Sequence, residues 1–248
     1  DGSRPIFPRD VAGSRRATSA GQTPLPLLVK WMFTSEKLSI QVHPSDADAH
    51  QRGLPSGKEE CWYIVDAEPG AVLGIGTKQP LTAEELRTAS QTGDIEQLID
   101  WKPVKAGDFY YIPTGTVHAI GAGITLVEVQ QPADITYRLY DYGRPRELHL
   151  DDGVAVAHPA PYIDARSGHV AANFRLTSGP HFWLHHIVDS AGKDEIHEAG
   201  PYWLVPISGH ASFGGKPIVR GDCLMVDSLE QLQVEQNSSL LIAGIATS

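Results

Sequence analysis

Two histidines, a glutamate and a glutamine stand where they could build a metal centre. Gln41 and His43 lie two residues apart in the stretch Leu38 to His43, where apolar and polar residues alternate. An extended strand therefore puts Ser39, Gln41 and His43 on one face. Glu60 opens the apolar run Cys61 to Val65, and His118 follows the turn through Pro113 and Gly115. If these strands run side by side, two imidazoles, a carboxylate and an amide oxygen converge. Such a nitrogen and oxygen set suits Zn²⁺, one per chain, with room for water or substrate; closed structural zinc sites are mostly thiolate-rich. Iron competes, because two histidines and a carboxylate can form an oxygenase triad. Gln41 would fill a position that oxygenase chemistry keeps open, which favours a redox-inert Lewis acid.

The elements that must position these groups read as short strands. Pro113 cannot donate to a ladder and Gly115 allows positive φ, so the pair ends the strand Phe109 to Ile112 and re-aims the chain toward His118. The run Leu27 to Phe33 is apolar apart from Lys30, which either snorkels from a sheet edge or points into a cavity with a partner. In Thr125 to Gln130, Glu128 shares a face with Leu126 and Gln130, and the pattern leaves open which face is core. Pro44 ends its strand, and Ser45 to Arg52 reads as a short helix or loop. Thr82 with Glu85 three residues later is a capping box, predicting a helical insertion over about 82–98. Residues 1–26 read as loop, with Arg15 and Arg16 a solvated pair. Leu148 to Pro161 reads as a linker, dividing the chain into units 1–150 and 151–248.

The second unit shows short strands between Gly and Pro and a weak echo of the first. Tyr202 to Val205 resembles Cys61 to Val65, and Gly221-Asp222 before its strand resembles Gly107-Asp108. No histidine follows Gly221 as His118 follows Gly107, so this unit is expected to contribute structure alone. His181, His185 and His186 read as an exposed strand rather than a second metal cluster.

The 248 residues include 24 glycines and 18 prolines, which favours a turn-rich β architecture. The net charge of −10 argues against nucleic-acid and membrane-surface partners. Cys61 and Cys223, far apart within apolar runs, are expected to be core residues of a protein in a reducing cytoplasm. No run reaches the length of a membrane span and no signal-peptide pattern opens the sequence. It starts at Asp1 rather than Met, with the expectation that a leading segment precedes it.

The spacing in Gly107 to His118, GDFYYIPTGTVH, resembles the second motif of the cupin superfamily. With LSIQVHP at 38–44, GKEECWYI at 57–64, PTGTVHAIG at 113–121 and TYRLYDYGR at 136–144, the chain resembles type I mannose-6-phosphate isomerases in their short bacterial form. The match is strong over about 27–146 and looser beyond. The resemblance implies a mainly β fold of two cupin-like jelly-roll barrels. It implies zinc held by Gln41, His43, Glu60 and His118, and a substrate pocket lined by Lys30, Lys58, Glu128 and Arg138. Trp31 and Met32 stand where such enzymes commonly carry other residues, and are expected to reshape one pocket wall.

The implied reaction interconverts mannose 6-phosphate and fructose 6-phosphate. It moves a proton between C1 and C2 through an enediolate, which needs a base beside the metal. Lys58, with its pKa expected to be depressed, and Glu128 are the two candidates. Arg138, with its planar fork, would meet the enediolate oxygens or the phosphate, and Lys30 would add anion attraction. The alternative is a non-catalytic metal-containing cupin that binds a sugar or sugar phosphate.

Overall fold

The computed structural model describes residues 25–246. The loop expected over 1–26, with Arg15 and Arg16, lies almost wholly outside the described residues. In chain order the first unit holds β1 (Leu28–Thr34), β2 (Ile40–Val42), α1 (Asp46–Gln51), β3 (Glu60–Ala67), β4 (Val72–Thr77), α2 (Ala83–Thr92), α3 (Ile95–Leu98), β5 (Ile99–Pro103), β6 (Asp108–Ile112), β7 (His118–Ile120), β8 (Ile124–Gln130) and β9 (Tyr137–Tyr140). Helix α4 (Leu150–Val156) and the short β10 (Gly168–His169) lead to β11 (Phe174–Ser178), β12 (Phe182–Ile187), β13 (Tyr202–Ser208), β14 (Ala211–Phe213), β15 (Lys216–Ile218), β16 (Leu224–Val226), β17 (Leu232–Val234) and β18 (Ser239–Ile245). No helix among the described residues is long and apolar enough to cross a membrane.

The chain is mainly β, in two jelly-roll-like units. Sheet β1-β8-β3-β6-β10 accompanies sheet β5-β4-β7-β2-β9 in the first, and β11-β12-β18-β13-β16 accompanies β15-β14-β17 in the second. The hydrogen-bonded ladders leave each unit as paired sheets and do not close it into a continuous barrel.

Strand β3 reads as an unbroken apolar run because both its faces are buried. Trp62 and Ile64 point into the first unit among Leu73, Ile75, Ile112 and Leu126. Cys61 and Tyr63 point the other way, with Phe109, Tyr111 and Val127, onto Phe182, Leu184, Trp203 and Val205 of the second unit. Each large apolar side chain buried in this seam stabilises the fold by roughly 1.5–3 kcal/mol. The same seam resolves the ambiguity of β8, both of whose faces are core. Trp31 packs into it too, whereas Met32 joins the inner cluster, so Trp31 does not form the pocket wall expected of it.

The internal echo is realised in register. β3 lies between β8 and β6 just as β13 lies between β18 and β16. Asp108 accepts from the Lys105 backbone N–H at 3.0 Å before β6, and Asp222 accepts from that of Val219 at 2.9 Å before β16. The same side-chain turn thus launches equivalent strands. Cys61 is buried as expected, but Cys223, beside that second turn, is exposed, which corrects the core reading.

Helices follow their local signals with one exception. Thr82 and Glu85 form the expected capping box on α2, and Gly93 closes it in the left-handed conformation. Ser45 and Asp48 do likewise for α1. The stretch read as linker instead contains α4, which has no side-chain cap and carries Gly153 in its interior. Packing of Val154 and Val156 against Leu139 and Val117 holds it, a tertiary effect that propensity does not reveal.

Candidate functional site

Two close backbone approaches build the site. Gly115, at φ 80, donates its N–H to the His43 carbonyl at 2.9 Å, tying the end of β2 to the turn before β7. A side chain there would also run into His158, whose Nδ1 lies 2.3 Å from where a Cβ would be. Gly57 crosses so near Pro44 that a Cβ would sit 2.4 Å from its carbonyl oxygen. That crossing lets Lys58 N–H bond the Pro44 carbonyl and brings the Lys58 side chain over His43.

His43, Glu60 and His118 converge, with donor atoms all within 4.8 Å of one another. His43 Nε2 lies 3.4 Å from Glu60 Oε2 and His118 Nε2 3.4 Å from Glu60 Oε1. Two donors each about 2.0–2.1 Å from a tetrahedral ion are about 3.3 Å apart. The tautomers are set from behind. His43 Nδ1 donates to the Ile135 carbonyl and His118 Nδ1 to the Thr116 carbonyl, both at 2.8 Å, leaving both Nε2 lone pairs facing Glu60. Glu60 Oε1 is buried with no hydrogen-bond donor. Lys58 meets one side of this cluster, but on the other the unpaired Glu60 Oε1 faces the His118 lone pair away from water, an arrangement that a bound cation would relieve.

Gln41 stands opposite His118 across β2 and β7, its amide nitrogen 3.3 Å from His118 Nε2 and its oxygen accepting from Ser39 Oγ at 3.2 Å. Turning the amide over would present its oxygen to the same centre. The four residues grouped by strand alternation are thus brought together, and all fit a divalent ion such as zinc.

Charge around the centre is paired rather than free. Lys58 Nζ lies 3.1 Å from Glu60 Oε2 and 3.2 Å from His43 Nε2. Burial pulls its pKa down, but the attraction of Glu60 and Glu128 prevails and holds it above the ordinary lysine value. The depression expected of Lys58 rested on the nearness of Zn²⁺ and other cations; without an ion's charge, the two carboxylates hold the ammonium up. Burial raises Glu60 despite the pull of Lys58, and lowers the His118 imidazole to about 4. Glu128 is also buried, yet Lys58 and Lys30 outweigh that and keep its carboxyl below the usual range.

Lys30 satisfies both readings offered for it. It sits on the edge strand β1, opposite Glu128, and turns inward to reach Glu128 Oε1 at 3.0 Å and Gln130 Oε1 at 2.5 Å. Arg138 lies opposite Gln41 across β2 and β9, and its Nε is buried with no hydrogen-bond partner. Two further residues escaped the sequence reading. Trp62 Nε1 donates to Glu128 Oε2 at 3.3 Å with its ring edge-on to His118, and Gln130 holds Lys30. Their signal was the period of two, which places Trp62 beside Glu60 and Gln130 beside Glu128.

The second histidine group disperses. His185 faces Glu198 at 3.4 Å, His186 bonds the Ala172 carbonyl and Ser239, and His181 faces Glu59 and Asp46. They form no metal cluster, but His185 and His186 are buried, which corrects the exposed-strand reading.

No protein-family model matches the chain. It is 39% identical over 192 residues to a mannose-6-phosphate isomerase of Streptococcus mutans, covering 73% of this chain and 60% of the relative. It is 47% identical over 139 residues to the mannose-6-phosphate isomerase ManA of Bacillus subtilis, covering 53% of this chain and 44% of that protein. The match to each of these relatives therefore spans less than two thirds of its length. Among solved structures, a mannose 6-phosphate isomerase from Bacillus subtilis superposes with a TM-score of 0.72 at 31% identity, covering 89% of this chain and 76% of that one.

Proposed function

Because the chain belongs to the mannose-6-phosphate isomerase family, we propose that it is a zinc-dependent aldose–ketose isomerase interconverting mannose 6-phosphate and fructose 6-phosphate through an enediolate. The observation that carries this reading is the buried meeting of two imidazole lone pairs and a carboxylate beside the paired carboxylate of Glu128. A simple sugar-binding module has no need of a base next to its metal.

Gln41, His43, Glu60 and His118 would hold the zinc. When bound, zinc supplies Lewis-acid stabilisation of negative charge on the C1 and C2 oxygens of the sugar. Glu128 is the base we assign for the carbon-bound proton. Lys30 and Trp62 fix its carboxylate from two sides, and a carboxylate so held is ionised and oriented. Lys58 is committed through its N–H donors to Glu60 and His43, so it acts as a local positive charge rather than as a neutral amine. Arg138, with its buried Nε unpartnered beside Gln41 in the ladder, is suited to bidentate binding of the phosphate or the enediolate oxygens. Lys30, still 30% exposed, adds anion attraction from the other wall.

In this reading residues 1–150 carry the chemistry, α4 and β10 complete the first unit, and the strands from β11 onward buttress the outer face of β3 and β8. The partner is a small sugar phosphate rather than nucleic acid or membrane, and unpaired thiols suit a cytoplasmic setting. A coupled assay for fructose 6-phosphate formed from mannose 6-phosphate, before and after chelation and zinc return, tests the proposal. Turnover should vanish on chelation and return with zinc. His118→Ala should lose both metal and turnover, whereas Arg138→Ala should keep metal and lose turnover. Full activity in chelated protein, or in Arg138→Ala, contradicts the assignment.

A further inference from the structure

Gln130 is wholly buried at the end of β8, opposite Glu60 in the ladder with β3. Its amide has three partners and satisfies each by kind. The oxygen accepts from Lys30 Nζ at 2.5 Å, and the nitrogen donates to the carbonyls of Gln131 at 2.8 Å and Ala133 at 2.9 Å. An ammonium can only donate and a carbonyl can only accept, so the amide has one possible orientation.

The segment gripped by that nitrogen leads directly to Ile135, whose carbonyl takes the His43 Nδ1 proton. We infer that Gln130 is a positioning residue for the reaction proposed above: a single amide that sets the Lys30 ammonium beside Glu128 and, through the carbonyls of Gln131 and Ala133, the backbone that orients the His43 imidazole.

No other side chain of this size does both. Glutamate would keep an acceptor for Lys30 but turn a carboxylate toward two carbonyl oxygens. Leucine would fill the volume but take a bond from each partner, leaving Lys30 with Glu128 alone, the Gln131 carbonyl with Ala133 N–H alone, and the Ala133 carbonyl without the amide. Groups standing behind a metal-bound imidazole commonly govern affinity by about 10–100-fold.

The test uses zinc affinity, measured by competition with a chelator, and the proton NMR signal of the His43 Nδ1–H. Gln130→Leu and Gln130→Glu should each bind zinc at least about tenfold more weakly and lose the slowly exchanging His43 proton. Lys30→Met should keep zinc affinity and the His43 proton while raising KM for the sugar phosphate. Zinc affinity and a His43 signal like those of the unaltered protein in either Gln130 variant would overturn the inference. The unaltered protein gives a check that needs no variant to fold: the Gln130 side-chain NH₂ protons should exchange slowly, and rapid exchange would equally overturn it. None of the metal readouts depends on the identity of the sugar, so failure of the proposed reaction and failure of this inference are distinguishable.

Discussion

Lys58 and Glu60 form a buried ion pair, Nζ to Oε2 at 3.1 Å, with both side chains less than a tenth exposed. Lys58 enters just ahead of β3, where its N–H bonds the Pro44 carbonyl, so the cation is fixed by the backbone beside the carboxylate it neutralises. Removing one partner of such a pair leaves an uncompensated buried charge, at a cost of about 3–5 kcal/mol. Lys58→Met should therefore lower the melting temperature of chelated protein markedly. Zinc, by neutralising Glu60, should restore much of it, so the zinc-induced rise in Tm should be larger in the variant than in the unaltered protein. An equal rise in both would show that Lys58 does not share the carboxylate with the ion.

Glu128 is held between Lys30 and Trp62, and glutamine fits the same space. Glu128→Gln should keep zinc content and the fold while reducing kcat by about 10²–10⁴-fold, the usual worth of a positioned base. Retained activity would move the base elsewhere. Lys58 would be the next residue to test.

The ligand set was legible because strands impose a period of two. Gln41 and His43 share a face, Lys58, Glu60 and Trp62 share another, and a stiff Pro-Gly turn delivers His118. What the period could not show was which strands become neighbours. The pairing of β1 with β8 puts Lys30 against Glu128, and nothing local in Leu28–Thr34 announces it. The pKa of Lys58 is held up first by Glu60, two residues along the chain, and then by Glu128, whose arrival from a distant strand the period could not show. Helix α4 was invisible because its stability comes from the sheet beneath it and not from caps. The exposure of Cys223 was missed because it directly precedes the apolar triplet of the edge strand β16, which resembles one in a central strand.

That exposure has a direct chemical consequence. A small aromatic disulfide reagent should label Cys223 in the folded protein and Cys61 only on unfolding, the first reaction accelerating with pH because desolvation pushes the Cys223 thiol up to about 11. Peptide mapping identifies the sites. Fast labelling of both, or of Cys61 first, would contradict the seam between the two units.

Acid stability should depend on Asp141, whose buried carboxylate accepts from Arg146 and Arg144. Burial raises its pKa, but the hydrogen bonds and charges of the two arginines prevail and depress it. A depressed native pKa stabilises the fold above the ordinary aspartate value of about 3.9, and that stabilisation is lost as pH falls through the native value. Asp141→Asn should lower Tm at neutral pH, and the gap to the unaltered protein should shrink in strong acid. A gap independent of pH would show that the carboxylate charge contributes nothing.

The central claim is that two imidazoles, one carboxylate and one amide from separate strands gather around a single ion. X-ray absorption at the zinc edge, on protein loaded with one zinc per chain, reads that shell directly. The account predicts only nitrogen and oxygen neighbours at about 2.0–2.2 Å, with the outer scattering of two imidazoles. A sulfur neighbour, or a shell without the outer scattering of imidazole, would contradict it.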